Sequence, residues 1–441
     1  MTLALLSSVA VGAAQSRDAE QGNDQVKESQ RATAKARFVV GDTRGALDAL
    51  NAIGEPRIGE IKIEGRVRSR QDVVADYLGA HTGDMLTWAR LTRVERRLHD
   101  LPIASAGKVR YDLGDGSVIV RPILVERDRF YEGRVEWIPV GIRALILQDV
   151  VMPVSYATGH GDVWRPSARW RPGQPRVALD VAAPAPGRLP GVVRFDTLWQ
   201  TAHFERHVAG GASDAIEEDR GRAGAALSDW LTGWLRWEGG AAVDRIASVT
   251  YLSLNGSLDV RAFDDRMATV FGGSWYTSEA NRTATGDVVV SLRSTTRDDR
   301  LVFLGRGGVA AVGDRAPLSL WPAASSGGGQ VALLRAHSLH QAGIVTGEVF
   351  GQQLAFIGAE SVYPLPTRMG PTFLGVAGFV DAARAWSGFG IDSSTLHVDV
   401  GTGIRMKTSR WGGRVRLDLA YGLRDGRVHV SAGYVQPWGK R

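Results

Sequence analysis

The sequence predicts an all-β transmembrane barrel of about 16 antiparallel strands behind a small N-terminal α+β domain. The first sign is a two-residue stripe near the C-terminus. Leu396, Val398, Val400, Ile404 and Met406 alternate with His397, Asp399, Gly401, Gly403, Arg405 and Lys407. Val415, Leu417, Leu419, Tyr421 and Leu423 then alternate with Arg414, Arg416, Asp418, Gly422 and Arg424. Successive strand residues face opposite ways, so each segment has one apolar and one charged side. The second sign is that such segments recur from residue 128 to the end with no comparable helix between them. The third is a helical period confined to the region before them. A soluble sandwich would bury the apolar side; a membrane barrel turns it to lipid and lets charge line a wet lumen.

Composition narrows the classes. With no Cys in 441 residues, disulfide frameworks, thiolate metal sites and cysteine nucleophiles are excluded. The 54 Gly suit tight turns and barrel corners, and the 13 Trp suit a membrane interface. The mean hydropathy of −0.11 resembles a soluble protein, but inward polar residues dilute the mean of any barrel. No run approaches the roughly 18 apolar residues that a spanning helix needs. The net charge of +6 is spread along the chain. Without a concentrated basic run carrying aromatics, nucleic acid is not an expected partner.

Taken in order, residues 1–14 (MTLALLSSVAVGAA) form a signal-like segment, with Gly12 and Ala14 at the −3 and −1 positions of a cleavage site. Residues 15–56 read as a polar linker, with Thr43 to Ala52 left unassigned. Residues 57–127 change character. Ile58, Ile61 and Ile63 mark a strand closed by Gly65, and Ser69 is an expected N-cap for a helix carrying Val73, Val74, Tyr77 and Leu78. Leu91, Val94, Leu98 and Leu101 stripe a second helix. Two strands, Lys108 to Leu113 and Ser117 to Glu126, flank the hairpin signal Gly114-Asp115-Gly116. Strand, helix, helix, strand, strand makes a three-stranded sheet covered by two helices.

Residues 128–441 are assigned to the barrel. Strands are expected near 132–139, 149–158, 166–172, 175–183, 192–203, 220–229, 231–240, 246–258, 265–276, 285–294, 300–311, 353–364, 372–386, 396–408, 413–424 and 427–438, and a short piece at 330–336 reads equally as loop. Pro190-Gly191 and Asp425-Gly426 are expected as short turns on one rim, and 206–219 and 312–330 as loops on the other. Trp170, Trp199, Trp230, Trp234, Trp237, Trp275, Trp386, Tyr434 and Trp438 are expected as an interfacial girdle.

These residues resemble a known family. A strand-helix-helix-strand-strand module before a C-terminal barrel is similar to the BamA/TamA superfamily of outer-membrane assembly proteins, the bacterial surface antigen family. RIGEIKIEG, ADYLGAHTGDMLTWARLTRVERRL and GSVIVRPILVER resemble one POTRA domain, the periplasmic polypeptide-binding unit of that family. FLGVAGFVDAARAW, LHVDVGTGIRMKT and GRVRLDLAYGLR resemble its barrel. The resemblance covers 57–127 and 320–441. It implies a protein of the outer membrane with its POTRA-like domain in the periplasm. Its partners would be the lipid bilayer, unfolded β-barrel or secreted client polypeptides, and periplasmic or lipoprotein accessory factors.

Two residues carry over from the family's pattern. An Arg on a long loop that folds into the lumen corresponds to Arg335 in GGGQVALLRAHSL, and an Asp on a late strand that receives it corresponds to Asp381 in GFVDAARAW. Alternation puts Asp381 on the face of Phe373, Gly375, Ala377 and Phe379, opposite Leu374, Val376, Val380 and Ala382. A bidentate Arg335–Asp381 pair would pin the loop. Ala336-His337 and Ala383 stand where the family carries Gly-Tyr and Gly. The first and last barrel strands, near 132–139 and 427–438, form a candidate lateral seam, with Gly433 loosening it and Tyr434 and Trp438 as the last strand's aromatic positions.

Catalytic patterns are missing. There is no Gly-x-Ser-x-Gly elbow, His-Glu-x-x-His pair or phosphate loop, so neither an enzyme nor a cofactor is expected. His203 and His207 read as strand end and loop rather than a metal site, and Glu217-Glu218-Asp219 as a solvated acidic loop. Three other functions stay in play: a two-partner secretion porter, a passive porin-like or structural barrel, and a soluble all-β binding protein. Such porters usually carry a plug helix ahead of the POTRA domains, and 15–56 suggests none.

Overall fold

The computed structural model describes residues 23–114, 117–130, 144–145, 148–187, 189–207, 213–296, 301–326, 332–341, 343–345, 349–366, 373–388, 395–407 and 414–435, with Gly141. The chain divides into two compact units, one of residues up to 99 with 106–125, the other of 100–105 with 126–441.

The first unit begins with two helices where a linker is expected. Helix α1 runs over 23–39. It is followed by α2, Thr43–Asn51, capped by the Asp42 carboxylate on the Gly45 N–H at 2.9 Å. The inner face of α1 is Lys27, Gln30, Ala34 and Phe38. That stripe has helical spacing but little apolar content, so hydropathy alone does not register it. Ala34 packs on Ala46, Ala49 and Leu50, and the Phe38 ring lies 5.2 Å from that of Tyr111.

Next come β1 (Arg57–Ile61), β2 (Glu64–Arg66), α3 (Gln71–Leu78), α4 (Trp88–Asp100), β3 (Ala104–Leu113) and β4 (Ser117–Glu126). Central β4 pairs β1 and β2 in parallel along one edge and β3 along the other. Ile58, Val109, Tyr111, Val118, Val120 and Leu124 point inward against Val74, Leu78, Leu91, Val94 and Leu98 of the helices, and all are buried. Helix α3 is capped by Arg70, one residue later than expected, without a side-chain cap bond. It ends at Gly79, whose φ of 65° suits glycine and whose missing side chain admits the Arg97 guanidinium bonded to the Leu78 carbonyl.

The second unit is a closed, mostly antiparallel barrel. Its strands are β5 (Asp149–Val151), β6 (Val154–Ser155), β7 (Val163–Arg169), β8 (Arg176–Pro184), β9 (Val192–His207), β10 (Ser213–Trp230), β11 (Leu235–Ile246), β12 (Val249–Ala262), β13 (Met267–Thr277), β14 (Arg282–Arg293) and β15 (Val302–Val312). Short segments β16 (Ala324–Ser325), β17 (Ala332–Leu333), β18 (His340–Gln341) and β19 (Ile344–Val345) follow. The wall resumes with β20 (Gly351–Pro364), β21 (Phe373–Gly388), β22 (His397–Lys407), β23 (Arg414–Gly422) and β24 (Val428–Val435). Strands β9 to β15 and β20 to β22 run 11 to 18 residues, enough for tilted strands to cross a bilayer. β5 and β6 both pair β7 and act as one stave.

The stripe resolves into two faces. Val376, Val380, Ile404, Leu417, Leu419 and Tyr421 are exposed on the outside. Asp381, Asp399, Arg405, Arg416 and Asp418, offset by one residue, are buried on the inside at 2% exposure or less. Exposed Phe195, Leu254, Phe271, Val309 and Ile357 extend the apolar exterior round the wall. No helix among the described residues is long and apolar enough to cross a membrane.

Several expectations change. β9 and β10 extend through most of 206–219, so Glu217-Glu218-Asp219 lies in a strand rather than a solvated loop. Strands alternate up and down, so the β9–β10 turn, the long segment after β15 and the β23–β24 turn share one rim. Asp425-Gly426 therefore sits on the rim of the long loops, and Pro190-Gly191 on the opposite one. Of the expected girdle, Trp170, Trp199, Trp234 and Trp275 are about half exposed, but Trp230 is buried. The expected strand 132–139, Trp438 and the Tyr434 side chain lie outside the described residues. The strand beside β24 round the ring is β5.

Candidate functional site: a luminal loop on an acidic wall

The segment between β15 and β20 packs against the inner wall, and its root is held first. A 3₁₀ turn, Leu318–Leu320, directs two backbone N–H groups, Leu318 at 3.0 Å and Ser319 at 2.9 Å, onto the Glu218 carboxylate of β10. Leu318, Ala323, Val345 and Phe350 pack on Phe204 of β9, and β19 adds a short parallel pairing to β9. Further along, β16 and β17 pair in parallel. Ala324, Ala332 and Leu334 then bury themselves against Leu354, Phe356, Ala383 and Ala385 of the wall. Small Ala383 thus belongs to the loop's apolar seat.

This seat delivers Arg335 to the charged face. Its Nη2 lies 2.8 Å from Glu360 Oε2 of β20, and its guanidinium carbon lies 3.9 Å from the centre of the Phe379 ring. Nε is 3.1 Å from Asp381 Oδ2 of β21 and 3.8 Å from Asp418 Oδ2 of β23. The Asp381 contact is close but off the hydrogen-bond direction, since neither atom completes a hydrogen bond. The expected bidentate Arg335–Asp381 pair is therefore absent. Arg405 makes the bidentate clamp instead, through Nε and Nη2 on Glu360 at 2.7 Å each, with Nη1 on Asp418 Oδ1 at 2.6 Å.

The wall is built from like-charge neighbours. Asp381 stands directly across from Asp399, and Arg405 from Arg416. Like charges directly opposite on a sheet repel, and burial worsens the cost unless partners are supplied. Asp418 bridges the arginines, bonding Arg405 and Arg416 together. The aspartate pair receives its cation from outside the wall. Arg335 reaches Asp381, and His337 Nδ1 lies 2.9 Å from Asp399 Oδ1. The Ala336 N–H donates to Asp399 Oδ2 at 2.6 Å, and the Ala336 methyl packs on Phe379 and Ala420. Arg416 Nη2 donates to the Ser326 carbonyl at 2.8 Å, tying a second loop point.

Sequence reasoning singled out Arg335 and Asp381 but missed Glu360, His337, Glu218 and the bridging role of Asp418. The signal for Asp399, Arg405, Arg416 and Asp418 was present, as the charged half of the stripe; which charges meet depends on register, which a stripe does not give. Gly433 faces Arg416, and a side chain there would meet the guanidinium Nε at 2.7 Å, so its vacancy makes room for the cluster. On the opposite wall, Arg220 and Arg222 bracket fully buried Asp244, and Arg222 also holds Asp196. His203 lies in β9, 3.2 Å from Glu217. No metal-holding group of His, Asp or Glu occurs among the described residues.

Fold and site together define a class: a closed, mostly antiparallel membrane barrel with a cationic loop seated on an acidic inner wall. The chain has the fold of CdiB from Escherichia coli, at a TM-score of 0.59 and 12% identity over 86% of this chain and 75% of that one. CdiB from Acinetobacter baumannii aligns at a TM-score of 0.50 and 10% identity, over 86% and 73%. BamA from Haemophilus ducreyi, lacking POTRA domains 1–3, aligns at 0.48 and 11%, over 86% and 84%. No family model matches the chain, and no curated protein does.

Proposed function

We propose that this is an Omp85-type barrel of the bacterial outer membrane that inserts or translocates other polypeptides, with its β-α-α-β-β unit acting as a periplasmic POTRA-like arm. The observation that carries the reading is the long loop between β15 and β20 seated on the inner wall, with Arg335 buried among Glu360, Asp381 and Asp418. A passive pore needs no such occupant. The arm supports the same reading. Its β1 edge is covered by residues 83–86, through Ile58 N–H to Asp84 O and Gly83 N–H to Ile58 O. Among the described residues no strand pairs the outer edge of β3, so an extended client can add there by β-augmentation. We further propose that the barrel seam lies beside β24, the strand carrying Gly433 and Tyr434. Its neighbour β5 spans three residues, which makes for weak closure. Periplasmic or lipoprotein accessory factors belong to this proposal; no catalytic step or cofactor does.

Helix α1 favours a second reading, a porter for one dedicated cargo, because a helix ahead of the arm is what that class carries. Depletion followed by a census of outer-membrane proteins separates the two. Broad loss of β-barrels supports insertion, loss of one secreted product supports the porter, and an unchanged census refutes both. Engineered cysteines locking β24 to β5 should abolish insertion, and full activity with the seam locked would sink the seam mechanism.

A further inference from the structure

The loop has a second ionisable group at its tip that the Arg335 contact does not use. His337 is 2% exposed. Its Nδ1 faces Asp399 Oδ1 at 2.9 Å, and its Nε2 faces Asp425 Oδ2 of the β23–β24 turn at 3.2 Å. His397 Nδ1 of β22 stands 3.1 Å from the same Nε2, and the two rings meet edge to face at 4.8 Å. Gly422 makes room for the ring; a side chain there would come within 3.2 Å of His337 Cε1. A neutral imidazole has one donor and one acceptor nitrogen, so one of its nitrogens would direct a lone pair at a carboxylate. An imidazolium presents an N–H on both sides; the Nδ1–Asp399 contact, like that of Arg335 Nε on Asp381, lies off the hydrogen-bond direction, so it holds through charge. We propose that protonated His337 is a second cationic anchor of the luminal loop, and that the loop's hold on the wall weakens as the imidazolium loses its proton.

Charge balance points the same way. Four wall carboxylates, Glu360, Asp381, Asp399 and Asp418, face two wall arginines, Arg405 and Arg416. Arg335 supplies a third positive charge, and an imidazolium at His337 supplies the fourth. The remaining groups around the ring are accounted for. Arg427 lies 2.9 Å from Asp425. His397 Nε2 bonds Thr395 Oγ1 at 3.3 Å, leaving its Nδ1 to accept from His337. His429 of β24 bonds Ser326 Oγ at 3.3 Å. The proposal concerns the seat of the loop, so it stands or falls apart from what the barrel transports.

The chain lacks cysteine, so Ser338→Cys provides a single site for a spin label beside the anchor. The full chain in lipid nanodiscs is followed from pH 6 to pH 9, spanning and exceeding the ordinary imidazole range near 6.5. The wild-type background should pass from an immobile to a mobile label with rising pH. His337→Gln should be mobile throughout, and His337→Lys, a fixed cation, immobile throughout. His340→Gln and His429→Gln should keep the wild-type pH response, and retained heat-modifiable migration confirms that each variant is folded. A wild-type spectrum unchanged across the range overturns the proposal. So does a pH response that survives in His337→Gln or disappears in His429→Gln.

Discussion

Replacing Arg335 with alanine tests the logic of the wall directly. The side chain is 5% exposed and approaches three carboxylates, but they do not lose equally. Glu360 keeps both bonds from Arg405, and Asp418 keeps Arg405 and Arg416. Asp381 loses its cation and is left buried across from Asp399. Removing one partner of a buried pair costs about 3–5 kcal/mol, and the lost stacking on Phe379 adds to this. The loop can escape by lifting off, so the cost should appear as local opening rather than global unfolding. At about 1.4 kcal/mol per tenfold, 3 kcal/mol raises the open population by roughly 100-fold. Protease nicking of the loop in the folded barrel reads that population when opening and closing are fast relative to cleavage. Adding Asp381→Asn removes the stranded charge, so the double variant should recover much of the protection. A single variant nicked at the wild-type rate, or a double variant as open as the sum of the two singles, would refute this account.

Other consequences follow from the same geometry. Leu419→Arg places a charge on the exposed outer face and should destabilise the barrel in lipid by about 2–4 kcal/mol, measured by reversible denaturant titration. Gly403→Ala pushes a methyl group to 2.6 Å from the Leu417 carbonyl and into the Asp418 carboxylate; it should cost about 1–3 kcal/mol and lower the temperature of heat-modifiable unfolding. His340, on the loop's β18, is pushed down to about 4 by burial, with help from Arg169 and Arg171. A base whose folded value is depressed stabilises above its unfolded value and loses that stabilisation on acidification. The β18–β19 segment should therefore loosen between about pH 6.5 and pH 4, and His340→Gln should flatten that dependence in hydrogen exchange.

Legibility followed periodicity. The barrel was readable because Leu417 and Leu419 must face lipid while Arg416 and Asp418 must not, and a period of two records that choice residue by residue. Helices α3 and α4 were readable from Leu and Val at helical spacing. Helix α1 was not, because its buried face is Lys27, Gln30, Ala34 and Phe38. The β9–β10 hairpin was misread as loop around Glu217-Glu218-Asp219 because a buried carboxylate looks solvated until its donors are known. For Glu218 those donors are backbone N–H groups about a hundred residues away. The site was half legible for a related reason. A stripe says which face a charge occupies, but the pairing of Asp381 with Asp399 depends on strand register.

That pairing makes the loop's seat depend on charges the loop itself brings. Had the register set each aspartate against an arginine, the wall would satisfy itself and offer a cation no hold. With Asp381 across from Asp399 and Arg405 across from Arg416, one pair is reconciled within the wall by Asp418, and the other is left for Arg335 and His337. The off-axis contact between Arg335 and Asp381 keeps this last link short of a full hydrogen bond. The apolar seat around Leu334 positions the tip, while the charge set decides how firmly it stays. A substitution or a change of protonation that supplies or withdraws a single charge at the aspartate pair should therefore act on the loop's hold and leave the sheet intact.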